Sequence, residues 1–209
     1  IGAVDVVPFV PLAATSMEAA RELAQETAAR VAQRFQLPVL LYEESARTPA
    51  RKNLPDLRRQ GLQERLDQDP PDFGPALLHP RLGATVMGAR RPLVAFNVVL
   101  DSQDLELARA IARHLRTLPS VRSLGFWLES QQRVQVSVNL TNPEQVDLDQ
   151  VFEEVAGQAA AQGVAVHSSE LIGMAPAMSF VKMARHRLKM TALEPGQLLE
   201  WNVLHRMEV

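Results

Sequence analysis

The spacing of apolar residues predicts a strand, a helix and a second strand in the first part of the chain. Val4 to Val10 alternates and then runs apolar, which is typical of a β-strand. Apolar residues recur at helical spacing over 16–35, and Ser16 is placed to act as an N-cap, so we expect an amphipathic helix there. The short apolar run from Pro38 to Tyr42 predicts a buried strand, which completes a β-α-β order.

The stretch from 43 to 91 is predicted as mostly irregular. Residues 43–82 are polar and rich in proline, and they indicate a long loop with one short helix near Leu54–Gln60. A loop of this length inside a compact domain is usually functional or disordered. Gly83–Arg91 follows as a glycine-containing turn. We place the boundary between two domains in this turn, so that the domains comprise residues 1–90 and 91–209.

The second half of the chain predicts the order β-α-β-β-α-β, which is the order of the ferredoxin-like unit. After it we expect a helix over Ala177–Met190 and a tail from Glu194 that packs back onto the body. We therefore predict an α+β fold of two ferredoxin-like (βαββαβ-type) subdomains, the first incomplete at its N-terminus. The predicted elements are the strands Leu93–Leu100, Leu124–Glu129 and Val134–Leu140, the extended segments Val164–His167 and Glu170–Ile172, and the helices Asp104–Leu118 and Asp147–Gln162.

Composition narrows the class of protein that this sequence describes. Its 209 residues include 46% hydrophobic and 22% charged residues, which is ordinary for a globular protein. A net charge of −2 gives no general attraction for nucleic acid or an anionic membrane surface, so we expect neither as a partner. The absence of cysteine excludes disulfides, thiolate metal sites and cysteine nucleophiles within this sequence. No apolar run approaches the roughly 18 residues that a membrane span needs.

The histidines show no metal-site pattern. The five of them have no paired spacing and no carboxylates placed to complete a ligand set, so we expect no metal. His79 lies in a Pro- and Gly-rich loop and is either a ligand contact or a solvated loop residue. The other four are expected to be structural or solvent-facing: His114, His167, His186 and His205.

Seven blocks of the sequence are informative in combination: Ile1–Pro11, Pro38–Ala46, Arg51–Pro55, Pro71–Pro75, Gly83–Asn97, Val134–Leu140 and Ser169–Pro176. Together they resemble the formiminotransferase family, whose domain stands alone or is fused to a cyclodeaminase. The resemblance extends from Ile1 to about Leu199. It implies a transferase of histidine degradation and one-carbon metabolism that moves the formimino group of N-formimino-L-glutamate to N5 of tetrahydrofolate, the co-substrate. It also implies a cytoplasmic homodimer.

The implied reaction needs a group that moves a proton between two nitrogens, because the amidine carbon passes through a tetrahedral species. Histidine suits this role. In the family this histidine stands in a His-Pro-Arg-x-Gly segment, and Ile1-Gly2 matches its last two positions. The resemblance thus implies that the catalytic histidine precedes Ile1 and that this chain is inactive alone. We therefore assign no catalytic residue within this sequence. Residues 79–83 repeat the same letters but lie at the family's folate-loop position.

The resemblance places the folate-binding residues before and within the segment Gly83–Arg90. Glycines would let backbone N–H groups approach a flat pterin, while Thr85 offers a hydroxyl and Arg90 a partner for a carboxylate. The alternative explanation for Gly88 is a tight turn before a strand. The candidates are Gly74, Pro75, Ala76, Leu77, Leu78, His79, Pro80, Arg81, Leu82, Gly83, Thr85, Gly88 and Arg90.

Four more residues are candidates for contacting a substrate or for orienting the catalytic group. Arg47 and Arg51 could bind a carboxylate of either substrate, and a solvated loop is an equally good explanation for them. Asp5 and Asp72 could bond pterin nitrogens or orient the catalytic histidine. Asp5 is the stronger candidate of the two, because a carboxylate on a mostly apolar strand needs a partner.

Three other functions fit the same residues. The first is a non-catalytic folate-binding module, and the second is one half of an enzyme whose partner chain supplies the histidine. The third is a formyl-transferring relative that acts on formylglutamate or 5-formyltetrahydrofolate, since the formyl and formimino groups are both small and planar.

Overall fold

The chain divides into two compact units, one comprising Ile1–Arg91 and the other beginning at Pro92. The computed structural model describes residues 1–12, 15–58, 61–190 and 192–198. Helices accompany a parallel three-stranded sheet in the first unit and an antiparallel four-stranded sheet in the second. The predicted mixed α+β class is therefore confirmed.

The first unit is built around a sheet in the order β1-β3-β2, with all three strands parallel. Strand β3 pairs on both sides, and its Val86, for example, lies opposite Val6 of β1 and Leu40 of β2. The elements of this unit are β1 (Val6–Phe9), α1 (Met17–Phe35), β2 (Val39–Leu41), α2 (Leu54–Arg58), α3 (Leu62–Gln68) and β3 (Thr85–Ala89), with 3-10 turns at Glu43–Ser45 and Pro49–Arg51.

Helix α1 confirms the helix predicted over 16–35. The Ser16 hydroxyl accepts a hydrogen bond from the Ala19 N–H at 3.1 Å, which satisfies one of the free donors at the helix start. Gln36 ends the helix in the left-handed conformation. The buried face of α1 is a stripe of alanines four residues apart, and their small side chains let the helix lie close to the sheet. These alanines are Ala20, Ala24, Ala28 and Ala32.

The turn predicted over Gly83–Arg91 is wrong, because Thr85–Ala89 forms the buried central strand β3. Glycine in a strand usually marks a bulge or a close backbone approach. Here it marks a close approach, since a Cβ on Gly88 would lie 2.3 Å from the carbonyl oxygen of Tyr42. The small residue that suggested a turn is thus required for the packing of β3 against the chain that leaves β2.

The stretch 43–82 is more regular than predicted. The expected short helix is present as α2, while α3 and the two 3-10 turns were not foreseen. Leu57 of α2 and Leu66 of α3 are buried with Leu40 and Val86, so these helices cover the side of the sheet opposite α1. Residues 59–60, where the predicted helix ended, lie outside the described part of the chain.

The second unit has the connectivity β-α-β-β-α-β and the strand order β5-β6-β4-β7. Neighbouring strands are antiparallel, and α4 and α5 pack against the sheet. The predicted helices and strands of this half are confirmed, while the ferredoxin-like designation stays a prediction with which the strand order agrees. The elements are β4 (Val94–Leu100), α4 (Leu105–Leu115), β5 (Val121–Leu128), β6 (Arg133–Leu140), α5 (Leu148–Ala160), β7 (Val166–Ile172) and α6 (Ala177–Leu188).

The start of the predicted tail contacts α6 through one arginine. The Arg185 guanidinium donates to the carbonyl oxygen of Leu193 and, at 3.0 Å, to the carboxylate of Glu194. The rest of the tail, residues 199–209, lies outside the described part of the chain.

Candidate functional site

Most of the candidate folate-binding residues lie in the loop that connects α3 to β3. This loop runs beside the outer edge of β2 before it enters β3. The Val39 N–H donates to the Phe73 carbonyl oxygen at 2.9 Å, and the Phe73 N–H donates back to the Val39 carbonyl oxygen at 3.2 Å. The Asp72 N–H donates to the same Val39 oxygen at 3.0 Å. These bonds fix the beginning of the loop to the sheet.

Arg51 and Asp72 come together in the interior. Their side chains are 3% and 2% exposed and form an ion pair, and Asp72 Oδ2 also accepts the Leu41 N–H at 2.7 Å. Arg51 Nε donates to Asp69 Oδ2 at 2.7 Å. Burial lowers the pKa of Arg51, but hydrogen bonding and attraction to Asp69 and Asp72 outweigh that effect and raise it. Arg51 is therefore a buried, fully engaged cation that ties the loop to the sheet.

Arg47 joins the same group of charges from the surface. Its Nε lies 3.3 Å from Asp72 Oδ1, and its guanidinium carbon lies 5.1 Å from the ring centroid of Phe73. The Arg47 side chain is 54% exposed. The structure thus unites three of the four additional candidates in what we call the Asp72 cluster, composed of Arg47, Arg51, Asp69 and Asp72.

The loop 74–83 begins at a glycine whose conformation no other residue adopts easily. Gly74 has φ +87°, and a Cβ there would lie 2.3 Å from the Leu37 carbonyl oxygen. Beyond it, Gln63 of α3 bonds the loop twice: its Oε1 accepts the Leu78 N–H at 3.1 Å, and its Nε2 donates to the Ala76 carbonyl oxygen at 3.3 Å. Leu77 between these bonds is 68% exposed, so the loop presents an apolar side chain to solvent.

The end of the loop is a tight turn closed by His79. The backbones of His79 and Gly83 exchange two hydrogen bonds of 2.9 Å each. His79 Nδ1 also accepts the N–H groups of Arg81 and Leu82, at 3.2 and 3.0 Å. A ring nitrogen that accepts such bonds carries no proton, so this geometry assigns the neutral tautomer protonated on Nε2. In this arrangement His79 fixes the turn and offers a single donor, Nε2–H.

Thr85, Gly88 and Arg90 do not join this loop. Thr85 and Gly88 are buried inside β3, where Gly88 lies against Tyr42 and the Thr85 hydroxyl has no hydrogen-bond partner among the described residues, so their contact with folate stays a prediction. Arg90 follows β3 at its carboxyl end, whereas the loop precedes β3 at its amino end. The five residues of β3 separate the two by about 16 Å, at about 3.3 Å per residue.

Asp5 lies just before β1, at the same amino edge of the sheet as the loop. Its carbonyl oxygen accepts the Val86 N–H at 3.1 Å, and its carboxylate pairs with Arg58 of α2. The Asp5 side chain is 43% exposed and that of Arg58 is 47% exposed, so Asp5 is a partly exposed carboxylate with a surface partner and not the inward carboxylate that the apolar strand suggested. Sequence reasoning did not find Arg58, nor did it find Gln63, because a single polar residue on a short polar helix carries no pattern.

The remaining histidines of the described residues lie in the second unit, and each meets a carboxylate. The pairs are His114 Nε2 with Glu154 Oε2 at 3.3 Å, His167 Nδ1 with Asp101 Oδ1 at 3.2 Å, and His186 Nδ1 with Asp149 Oδ2. His205 lies outside the described residues. Over the described ranges, no three His, Cys, Asp or Glu side chains are grouped as metal ligands would be. No helix in those ranges is long and apolar enough to span a membrane.

Comparison with known proteins gives the same family for both units. The family profile described as the formiminotransferase domain, N-terminal subdomain, matches residues 1–90, and the profile described as the formiminotransferase domain matches residues 95–197. The two matches follow each other along the chain and lie on either side of the division between the two units.

Individual proteins agree with the profiles. A glutamate formimidoyltransferase of Streptococcus pyogenes serotype M1 is 36% identical over 214 residues, which cover 98% of this chain and 72% of that protein. A glutamate formimidoyltransferase of Thermoplasma acidophilum is 36% identical over 210 residues, covering 95% of this chain and 69% of that protein. The formimidoyltransferase-cyclodeaminase of Mus musculus is 39% identical over 199 residues, covering 88% of this chain and 37% of that protein. With both subdomain profiles and relatives covered over two thirds of their length, the chain belongs to the formiminotransferase family.

Proposed function

We propose that this protein is a folate-dependent transferase that moves the formimino group of N-formimino-L-glutamate to N5 of tetrahydrofolate. The observation that carries the proposal is the match of both subdomain profiles, in order, over residues 1–90 and 95–197. Glutamate formimidoyltransferases of a bacterium and an archaeon, each similar over more than nine tenths of this chain, support the choice of reaction.

The reaction exchanges one C–N bond for another. N5 of tetrahydrofolate attacks the formimino carbon, the bond from that carbon to the glutamate nitrogen breaks, and the N5 proton is finally carried by the released amino group. Proton transfer between the two nitrogens needs an acid/base group. His79 Nδ1 is occupied by two backbone donors, so His79 is assigned a donor role in binding rather than this proton transfer.

We assign the folate to the loop 74–83 of the first unit. The exposed side chain of Leu77 offers apolar area to a flat pterin ring, and His79 Nε2–H can donate to a carbonyl or ring nitrogen. The bonds from Gln63 and the buried Arg51–Asp72 pair hold the loop in one shape before the ligand arrives. A loop that is ordered in advance loses less conformational entropy on binding.

The test is tetrahydrofolate-dependent release of glutamate by the natural protein. Mixing the protein with N-formimino-L-glutamate and tetrahydrofolate should yield glutamate and 5-formiminotetrahydrofolate in equal amounts, measured by mass spectrometry. A reaction without tetrahydrofolate is the control, and formylglutamate as donor separates a formyl transferase from a formimino transferase. Glutamate release that does not exceed the folate-free control would refute the proposed reaction.

The proposal includes a homodimer in the cytoplasm. Light scattering of the purified natural protein at several concentrations measures the assembly, and a particle of one chain would remove the dimer from the proposal. Fractionation of the source cells followed by detection with an antibody measures the location.

A further inference from the structure

Arg47 presents a guanidinium that is oriented by the protein on one side and open on the other. Its Nε forms an ion pair with Asp72 at 3.3 Å, and its guanidinium carbon lies 5.1 Å from the centroid of the Phe73 ring. In the part of the chain that the structure describes, neither η nitrogen of Arg47 has a hydrogen-bond partner. The side chain is about half exposed and lies against Asp72 and Phe73, which directly precede the loop 74–83.

The orientation of Arg47 rests on buried groups. Asp72 is 2% exposed and is itself held by the Leu41 N–H and by Arg51. A free arginine side chain loses rotamer entropy when it is fixed by a ligand. Arg47 is already held at two points, so less of that entropy remains to be lost on binding. Arg51 offers no such opening, because it is buried and its donors are taken by Asp69 and Asp72.

We propose that Arg47 binds the carboxylate of a glutamyl group. A guanidinium edge with two free nitrogens matches a carboxylate with two parallel N–H donors. This inference rests on the proposed function, in which both substrates carry such a carboxylate: N-formimino-L-glutamate itself and the glutamate portion of tetrahydrofolate. Arg47 is thus a substrate-binding residue, while Arg51 is a positioning residue that acts through Asp72.

The test compares Arg47→Gln with Arg34→Gln in the natural protein. Arg34 is a matched control, because its guanidinium also lies near an aromatic ring, 5.7 Å from the centroid of Phe35, on the exposed side of α1. Binding of tetrahydrofolate and of tetrahydropteroate, which lacks the glutamate, is measured by calorimetry without oxygen. The KM for N-formimino-L-glutamate is measured separately.

Arg47→Gln should weaken one glutamyl ligand by about tenfold to a hundredfold, the value of a charge-assisted pair, while Arg34→Gln changes nothing. Weaker tetrahydrofolate binding with unchanged tetrahydropteroate binding identifies the folate glutamate as the occupant. A raised KM for N-formimino-L-glutamate with unchanged folate binding identifies the donor substrate.

Two results would overturn the assignment while leaving the proposed reaction intact. One is an Arg47→Gln variant with unchanged affinity for tetrahydrofolate and an unchanged KM for N-formimino-L-glutamate. The other is an equal loss of tetrahydrofolate and tetrahydropteroate binding, which indicates that Arg47 only supports the loop. A wild-type protein that neither binds tetrahydrofolate nor releases glutamate refutes the proposed function and this inference together.

Discussion

Replacing Arg51 by methionine should lower the free energy of unfolding of the first unit far more than replacing a surface arginine by methionine. Methionine keeps much of the length of the side chain but removes the cation that Asp69 and the 2%-exposed Asp72 share. Breaking a buried ion pair by removing one partner costs about 3–5 kcal/mol, and after this change Asp72 keeps only the partly exposed Arg47 and the Leu41 N–H as partners. We therefore expect the free energy of unfolding of this unit to fall by about that amount.

The structure supplies a matched control in α1. Arg30 and Glu26 form an ion pair of 3.7 Å with side chains that are 78% and 68% exposed. Exposed helical pairs contribute about 0.3–0.5 kcal/mol, so Arg30→Met should change stability by no more than that. Adding Asp72→Asn to Arg51→Met removes one of the stranded charges, and the double variant should recover part of the loss.

The assay must report on the first unit. Trp127 lies in the second unit and the other tryptophan, Trp201, follows it in the chain, so tryptophan fluorescence is the wrong probe. Urea unfolding followed by far-ultraviolet circular dichroism gives the total change, and hydrogen exchange of peptides from 37–45 and 69–84 locates it. An Arg51→Met variant as stable as Arg30→Met, with unchanged exchange in those peptides, would refute the role given to Arg51.

Other changes test neighbouring contacts in the first unit. Ser45→Ala removes the hydroxyl that accepts the buried Ala89 N–H at 2.9 Å, and urea unfolding should show a loss of about 1–3 kcal/mol, with no loss counting against the bond. Gly88→Ala should cost at least about 1–3 kcal/mol by overpacking, whereas Gly157→Ala in α5, where a new Cβ meets nothing within 4 Å, should stabilise by about 0.5–1 kcal/mol. Thermal unfolding measures both variants, and equal changes in stability would contradict the close contact between Gly88 and Tyr42. His79→Ala should weaken tetrahydrofolate binding in calorimetry more than His79→Asn, whose amide oxygen can accept the same N–H groups. Equal affinities of the two variants would contradict the role of the His79 side chain in closing the turn.

Elements with a local signal could be predicted from the sequence, and β3 could not. Helix α1 and the elements of the second unit follow from apolar spacing and from caps such as Ser16, which act within a few residues. The five residues of β3 include Gly88, and Gly83 lies two residues before the strand, so the local pattern favours a turn. Their strand conformation depends on β1 and β2 on either side and on contact with Tyr42, which are distant in sequence.

The candidate site was predicted as a set of residues without their separate roles. Arg47 and Arg51 lie four residues apart in one polar stretch, and nothing local distinguishes the exposed cation from the buried one. That difference arises from Asp72, more than twenty residues further along, which lies between them. Arg90 was grouped with the loop because it is near in sequence, although β3 lies between them and places Arg90 at the other end of the strand.

The loop 74–83 and the exposed Arg47 differ in how they respond to ionic strength. Neutral groups close the loop, namely the imidazole of His79 and the amide of Gln63, and Arg51 beneath it is shielded from solvent. Dissolved salt screens exposed charges and has little effect on buried pairs or on neutral hydrogen bonds. Salt should therefore reduce the attraction of Arg47 for an anionic ligand while the loop keeps its shape. Ionic strength then becomes a means of separating the affinity that comes from charge from the affinity that comes from shape in a single unmodified protein.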